Sequence, residues 1–315
     1  MPMEQIDLLT TLNEGYLPQL QVMLTSLAMN NPKETFALTL LHSGIPEKKL
    51  QGVAKQCEAY GYSFFPAKVE DALFGKAPVT KQYPKEMYYR LLAPHLLPKH
   101  IKRVLYLDPD TLIINPIRPL WETDLQGNLF AAAAHTGKTE LANSVNQMRL
   151  GTEHDYYNSG VLLMDLERGR KEISPEQLFR YVEQHSKELI LPDQDILNAL
   201  YGEKTLPLED AIWNYDARNY SSYLLRSGGV YDVKWVMQHT AILHIRFCDD
   251  IPEDQKSMNG LLKFLTATDE ATIEKMKAGK QDPESSDQGT TQFLGMLNAV
   301  HSYTYYDEET KTFRK

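Results

Sequence analysis

Cysteine is nearly absent: Cys57 and Cys248 are the two thiols in 315 residues. Two thiols build neither a disulfide framework nor a cysteine-rich metal site, and such scarcity suits a reducing compartment. Long apolar runs are missing as well. No window approaches the ~20 uninterrupted apolar residues that a spanning helix needs. The opening stretch MPMEQIDLLTTLNEGY has no basic segment followed by an apolar one. A cytoplasmic protein is the expectation. Positive charge is in deficit, with 33 Lys and Arg against 42 Asp and Glu and a formal net charge of −9. That balance excludes a general nucleic-acid binder, which needs a basic face. Apolar residues are plentiful, at 42% of the chain, enough to core one large domain or two small ones.

Apolar, β-branched runs alternate with helical patterns through the first third. Residues 6–12, IDLLTTL, read as a strand stopped by Asn13, Glu14 and Gly15, which are turn formers. Pro18 then suits a first helical turn, and Leu20, Met23, Leu24, Leu27 and Ala28 recur on one face. Residues 36–44 form a second strand, 46–60 a helix with Gly61 just past its end, and YSFFPA a third strand. A helix over 84–97 leads into the strand RVLYL. Such alternation favours right-handed crossovers and a mostly parallel, doubly wound α/β sheet. Ligands in these sheets bind beyond the carboxyl ends of the strands, which places Asn13 and Asp108 toward one cleft. Further along, LFAAAAH and YYNSGVLLMDL read as strands, 174–188 and DQDILNALYG as helices, and 241–247 as a last clear strand. From about residue 278 the composition turns polar and loses periodicity, so 1–270 is the expected domain and 271–315 a linker and tail. The closing YTYYDEETKTF alternates weakly, as a strand or a partner contact would.

Asp108-Pro109-Asp110 follows VLYL directly. Asp and Pro are turn residues, so a strand-to-loop turn accounts for them at the simplest level. A buried strand, however, delivers both acids to one edge of the sheet, where charge is costly without a partner. A divalent cation is the natural partner: carboxylate oxygens suit Mg²⁺ or Mn²⁺, and an added imidazole favours Mn²⁺. Two chemistries use such a pair. In one, a metal neutralises a nucleotide diphosphate as it leaves a sugar. In the other, Asp108 is the nucleophile of a haloacid-dehalogenase-like phosphatase. The phosphatase pattern expects Thr or Val where Leu112 stands, and it expects the acids on the first strand.

The order of motifs resembles glycosyltransferase family 8, the retaining GT-A enzymes, over roughly residues 6–265. LTTLNEGYLPQLQVMLTSL is similar to the family's opening strand, nucleotide loop and helix, and YYRLLAPHLLPKHIKRVLYLDPDTLI to its signature helix and metal-binding acids. YYNSGVLLMDL, LPDQDILN and LHIRF follow in the family's order. The resemblance implies a UDP-sugar donor, glucose or galactose, and a glycan, glycolipid or protein acceptor, with membrane contact at most peripheral. It implies Mn²⁺ held by Asp108, Asp110 and His244, with Mg²⁺ as a substitute. It also implies Thr11, Asn13 and Tyr16 around the uridine, Arg90 near the donor phosphates or sugar, and Asn158 on a sugar hydroxyl. Asp193 would position donor hydroxyls, or simply cap its helix. Gln194 would lie beneath the anomeric carbon, where an amide oxygen steadies positive charge but attacks poorly, which favours front-face transfer.

The chain departs from the family after His244. A GxxKPW segment is expected there, and IRFCDDIPEDQK stands instead, with Arg246 and Lys256 as replacement cations and Asp249 and Asp250 as unwelcome neighbours of a diphosphate. His135 occupies the position of another family acid. A third reading follows from these departures, a binding protein without turnover. Tyr215, Tyr220, Tyr223 and Trp213 are either sugar-stacking rings or a packed cluster.

Overall fold

The computed structural model describes residues 4–70, 86–134, 140–244, 306–307 and 312–313. His135, Arg246, Cys248, Asp249, Asp250, Lys256 and the polar stretch from 278 lie outside them.

The main body opens with β1 (Ile6–Thr11), α1 (Leu17–Asn30), β2 (Phe36–His42), α2 (Glu47–Ala59) and β3 (Ser63–Lys68). After the next described residues come α3 (Glu86–Tyr89), α4 (Ala93–Leu96), β4 (Arg103–Leu107), β5 (Thr111–Ile113), α5 (Arg118–Trp121) and β6 (Phe130–Ala134). The chain continues through α6 (Glu140–Leu150), β7 (Tyr157–Asp165), α7 (Leu166–Glu172), α8 (Pro175–His185), α9 (Pro192–Tyr201) and β8 (Thr205–Leu208). It closes with α10 (Asp210–Trp213), β9 (Tyr215–Asp216), α11 (Tyr220–Arg226), α12 (Val233–His239) and β10 (Ile242–His244). Near the end, β11 (Tyr306–Asp307) pairs antiparallel with β12 (Thr312–Phe313), so the weak alternation there does make strand.

Seven strands form one sheet in the order β3-β2-β1-β4-β7-β6-β8, and only β7 runs against the rest. This is the expected mostly parallel α/β sheet. Side chains alternate across it as the strand period requires. Leu9, Val104, Tyr106, Leu162 and Met164 pack with residues of α3, α8 and α9, whereas Leu8, Leu105, Leu107, Val161 and Leu163 pack with α1, α2 and α5. Burial on both faces explains why YNSGVLLMD lacks the polar alternation of a half-exposed strand. In α1, Pro18 sits in the first turn, and Leu20, Met23, Leu24 and Leu27 are fully buried, each worth ~1.5–3 kcal/mol relative to exposure. Gly61 takes a φ of +72° past α2, and the Tyr62 N–H donates back to the Cys57 carbonyl, closing the helix as expected.

Two expectations need correction. The single helix over 84–97 is instead two short helices, α3 and α4, separated at 90–92. Pro94 tolerates only the start of a helix and disfavours helical backbone before it, so α4 begins anew. The apolar TLI after the acid pair is not loop. It is β5, which joins β10 and β9 in a second, three-stranded sheet. No helix among the described residues is long and apolar enough to cross a membrane.

Candidate active site

The acid pair is both a turn and a site. The Thr111 N–H donates to the Asp108 carbonyl at 3.1 Å, closing a four-residue turn with Asp first and Pro second, and the Thr111 hydroxyl donates to the same oxygen at 2.8 Å. This turn carries the chain from β4 in the large sheet to β5 in the small one. β10 lies beside β5 with His244 opposite Thr111. As a result one ligand atom each from Asp108, Asp110 and His244 lie within 4.8 Å of one another, and His244 Nε2 is 3.5 Å from Asp110 Oδ1. Two carboxylates and one imidazole fit a hard divalent cation.

Close approach at Gly160 makes room for this cluster. A Cβ there would meet His244 Cε1 at 2.4 Å, Asp108 Oδ2 at 2.7 Å and Asn158 Oδ1 at 3.0 Å. Gly160 is also bound into the strand ladder, since its carbonyl accepts from the Asp108 N–H at 2.8 Å. Neither side can yield cheaply. Gly160→Ala is therefore expected to raise the dissociation constant for Mn²⁺ by at least about tenfold, measured by electron paramagnetic resonance of the free ion. An unchanged constant would mean that His244 and Asp108 do not ligate together.

Arg90 leaves α3 at the break before α4 and enters the site from below. Its guanidinium meets Asp108 at 2.9 and 3.3 Å, Asp193 at 3.0 Å and the Ser159 carbonyl at 3.0 Å, and it lies over the Tyr106 ring, 4.6 Å from the centroid. Burial opposes its charge, but Asp108, Tyr106 and Asp193 together outweigh it, so the pKa is raised and the cation is permanent. Tyr106 is raised mainly by burial and stays protonated, so it remains a donor to Asp108 Oδ1 at 2.5 Å. Asp108 itself is raised, first by desolvation and then by Asp110, against the pull of Arg90 and His244. Burial, with the like charge of Asp110 added to it, produces such a shift. Arg90 thus lies inside the site, braced between Asp108 and Asp193.

The DQD segment divides its labour because successive residues on α9 step ~100° around the helix. Asp193 does not cap the helix, for the N-cap is Leu191. Its Oδ2 accepts from Arg90 and from the Ser159 hydroxyl at 2.9 Å. Gln194 Oε1 accepts from Asn158 Nδ2 at 2.9 Å, and Asn158 Oδ1 accepts from the Gly160 N–H at 2.8 Å and from Asn214 Nδ2 at 2.8 Å. Asn214 Oδ1 in turn lies 2.9 Å from His244 Nδ1. Asp195, fully buried, turns the other way: it pairs with Arg149 at 2.6 and 2.9 Å, takes the Tyr156 hydroxyl, and accepts the N–H groups of Ile190 and Leu191.

Of the residues expected around the nucleotide, Thr11 is buried 3.3 Å from the Tyr106 hydroxyl, Asn13 is an exposed turn residue accepting from the Gly15 N–H at 2.9 Å, and Tyr16 is half-buried. Thr11 ends β1, which lies beside β4, and Asn13 and Tyr16 follow it. The aromatic group resolves as packing: Tyr215 and Tyr223 are buried and stacked 4.1 Å apart. Asn214, Tyr106, Ser159 and Asp195 were missed by reading the sequence. Tyr106, Ser159 and Asp195 stood inside motifs that could have pointed to them, and Asn214 did not.

This arrangement can be set beside known proteins. The sequence profile of glycosyl transferase family 8 matches residues 7–248. The chain belongs to that family. As a family 8 member it is a glycosyltransferase, and it has the GT-A fold. It is 27% identical over 215 residues to general stress protein A of Bacillus subtilis, a match covering 67% of this chain and 74% of that protein. It is 27% identical over 195 residues to a lipopolysaccharide 1,2-glucosyltransferase of Escherichia coli. There the match covers 61% of this chain and 57% of the relative, so little more than half of that enzyme is represented. The crystal structure of galactosyltransferase LgtC with donor and acceptor sugar analogs superposes with a TM-score of 0.64 at 23% identity, covering 83% of this chain and 96% of that one. At that identity the likeness carries the fold alone. The cluster of Asp108, Asp110 and His244 lies just past the carboxyl end of β4, the edge at which ligands bind in open α/β sheets.

Proposed function

We propose that the protein is a retaining hexosyltransferase that moves glucose or galactose from a UDP-sugar to a glycan, glycolipid or protein acceptor. Mn²⁺ is its cofactor, with Mg²⁺ as a substitute. The observation that carries this reading is the convergence of Asp108, Asp110 and His244 within 4.8 Å at the strand edge, beside Asp193 and Gln194. A divalent cation held there would supply positive charge against the UDP leaving group. Asp108, Asp110 and His244 hold it, and Arg90 keeps Asp108 and Asp193 at a fixed separation. Thr11, Asn13 and Tyr16 line the uridine side, and Asn158 and Asp193 orient the donor sugar. Gln194 lies beneath the anomeric carbon, and its oxygen already accepts from Asn158. An amide in that position supports front-face departure rather than a covalent glycosyl intermediate. Asp108 has Arg90 and Tyr106 on its oxygens, an environment unsuited to the free nucleophile of a phosphatase. Residues 1–270 form the transferase domain in this reading and 271–315 its tail. A cytoplasmic location with at most peripheral membrane contact belongs to the same proposal and rests on the scarcity of cysteine and of basic charge.

Purified protein offered a panel of UDP-sugars with Mn²⁺ should release UDP from UDP-glucose or UDP-galactose, falling to background with EDTA. Release that ignores EDTA would remove the metal from the mechanism. Inorganic phosphate as product would restore the phosphatase, and a donor held without turnover would leave a binding protein.

A further inference from the structure

The hydrogen bonds behind His244 admit one consistent assignment, and it starts from the backbone. The Gly160 N–H can only donate, so the Asn158 atom 2.8 Å away must be the carboxamide oxygen. The Asn158 nitrogen then faces Gln194 and donates to Oε1. Asn214 also meets the Asn158 oxygen, so it must present its own nitrogen there and its oxygen to the far side. That oxygen faces His244 Nδ1 at 2.9 Å. A carboxamide oxygen accepts and never donates, so Nδ1 must carry the hydrogen. Reversing either asparagine sets oxygen against oxygen or donor against donor. The four side chains of Asn158, Asn214, Gln194 and His244 are at most 4% exposed, so bulk water cannot repair a mismatch.

We propose that Asn214 is a positioning residue that holds His244 as the Nδ1–H tautomer, leaving the Nε2 lone pair toward Asp108 and Asp110 for the cation. Through Asn158 the same relay ties the imidazole to Gln194. The inference rests on the metal reading above for the purpose of the relay, and on the hydrogen bonds alone for its existence. A histidine ligand needs a fixed tautomer, and the group on its other nitrogen supplies it. Here that group is a neutral amide rather than a carboxylate, so the site gains an oriented imidazole with no further negative charge near the diphosphate.

The test begins on the metal-free wild-type protein. Long-range proton–nitrogen NMR of nitrogen-15 histidine at mildly alkaline pH, with the His244 signal assigned by its loss in His244→Gln, should show the Nδ1–H form. An Nε2–H form would overturn the proposal, whatever any variant does. In Asn214→Leu, folding checked by circular dichroism, the tautomer should become mixed or reversed and the dissociation constant for Mn²⁺ should rise about tenfold to a hundredfold. An unchanged tautomer in that folded variant would also overturn it. Asn214→Asp keeps an acceptor for Nδ1–H but cannot donate to Asn158. It should hold the Nδ1–H form, and loss of that form in a folded Asn214→Asp variant would overturn the proposal. Wild-type protein that shows Nδ1–H but binds no Mn²⁺ would support the relay and sink the metal reading, so the two fail separately.

Discussion

Asp110→Ala should leave a folded protein whose Mn²⁺-stimulated UDP release is reduced about a thousandfold, roughly 4 kcal/mol of lost leaving-group stabilisation. The fold should survive because the turn around Asp110 is closed by the Thr111 N–H and the Asp108 carbonyl, neither of which belongs to the Asp110 side chain. That side chain keeps 20% of its surface exposed and adds a like charge beside Asp108, so losing it also relieves repulsion. The equivalent change at Asp108 is a poorer experiment. Asp108 anchors Arg90 and Tyr106, and removing it would strand a buried guanidinium. The measurement is UDP release titrated with Mn²⁺. Wild-type rates with an unaltered Mn²⁺ response would take Asp110 out of the metal site.

Asp195→Ala is expected to have the largest effect on stability, about 3–5 kcal/mol, the usual cost of leaving a buried ion pair with one partner. Arg149 would lose both its carboxylate contacts, the Tyr156 hydroxyl would lose its acceptor, and so would the N–H groups of Ile190 and Leu191 at the start of α9. Tyr156 cannot escape by ionising, because burial alone, the largest cause, keeps its pKa raised. Partial exposure of Arg149, at 16% of its side chain, favours the lower end of the range. A fall in melting temperature of ~5–10 °C should accompany the change. Stability within ~1 kcal/mol of the parent would show that water replaces the carboxylate at little cost.

Parts of this site could be read before any coordinates. Asp108 and Asp110 stand out because a run of apolar β-formers ends on two charges, a pattern that local chemistry must resolve. The turn and the metal were set against each other as explanations, yet a turn with Asp first and Pro second is how the chain aims both carboxylates. His244 is a lone histidine in an apolar strand and became a candidate only through the order of motifs around it. Asn214 gave no signal, since an isolated asparagine has no period and no neighbour of matching chemistry. Its partners stand 30 and 56 residues away. The helix expected over 84–97 carried a local pattern past Pro94, and the ion pairs of Arg90 could not be read because the fold, not the local sequence, brings Asp108 and Asp193 to it. The three residues of DQD looked like one motif, and helical rotation sends them to three different neighbours.

The placement of His244 on β10 also orders events in time. Asp108 and Asp110 emerge during synthesis more than a hundred residues before it, and β10 is the strand that fits between β5 and β9. Domains assemble as the chain appears, from the N-terminus onward. The strand that completes the small sheet is thus also the one that brings His244 to Asp108 and Asp110. A ribosome-bound chain shorter than 244 residues holds no third ligand.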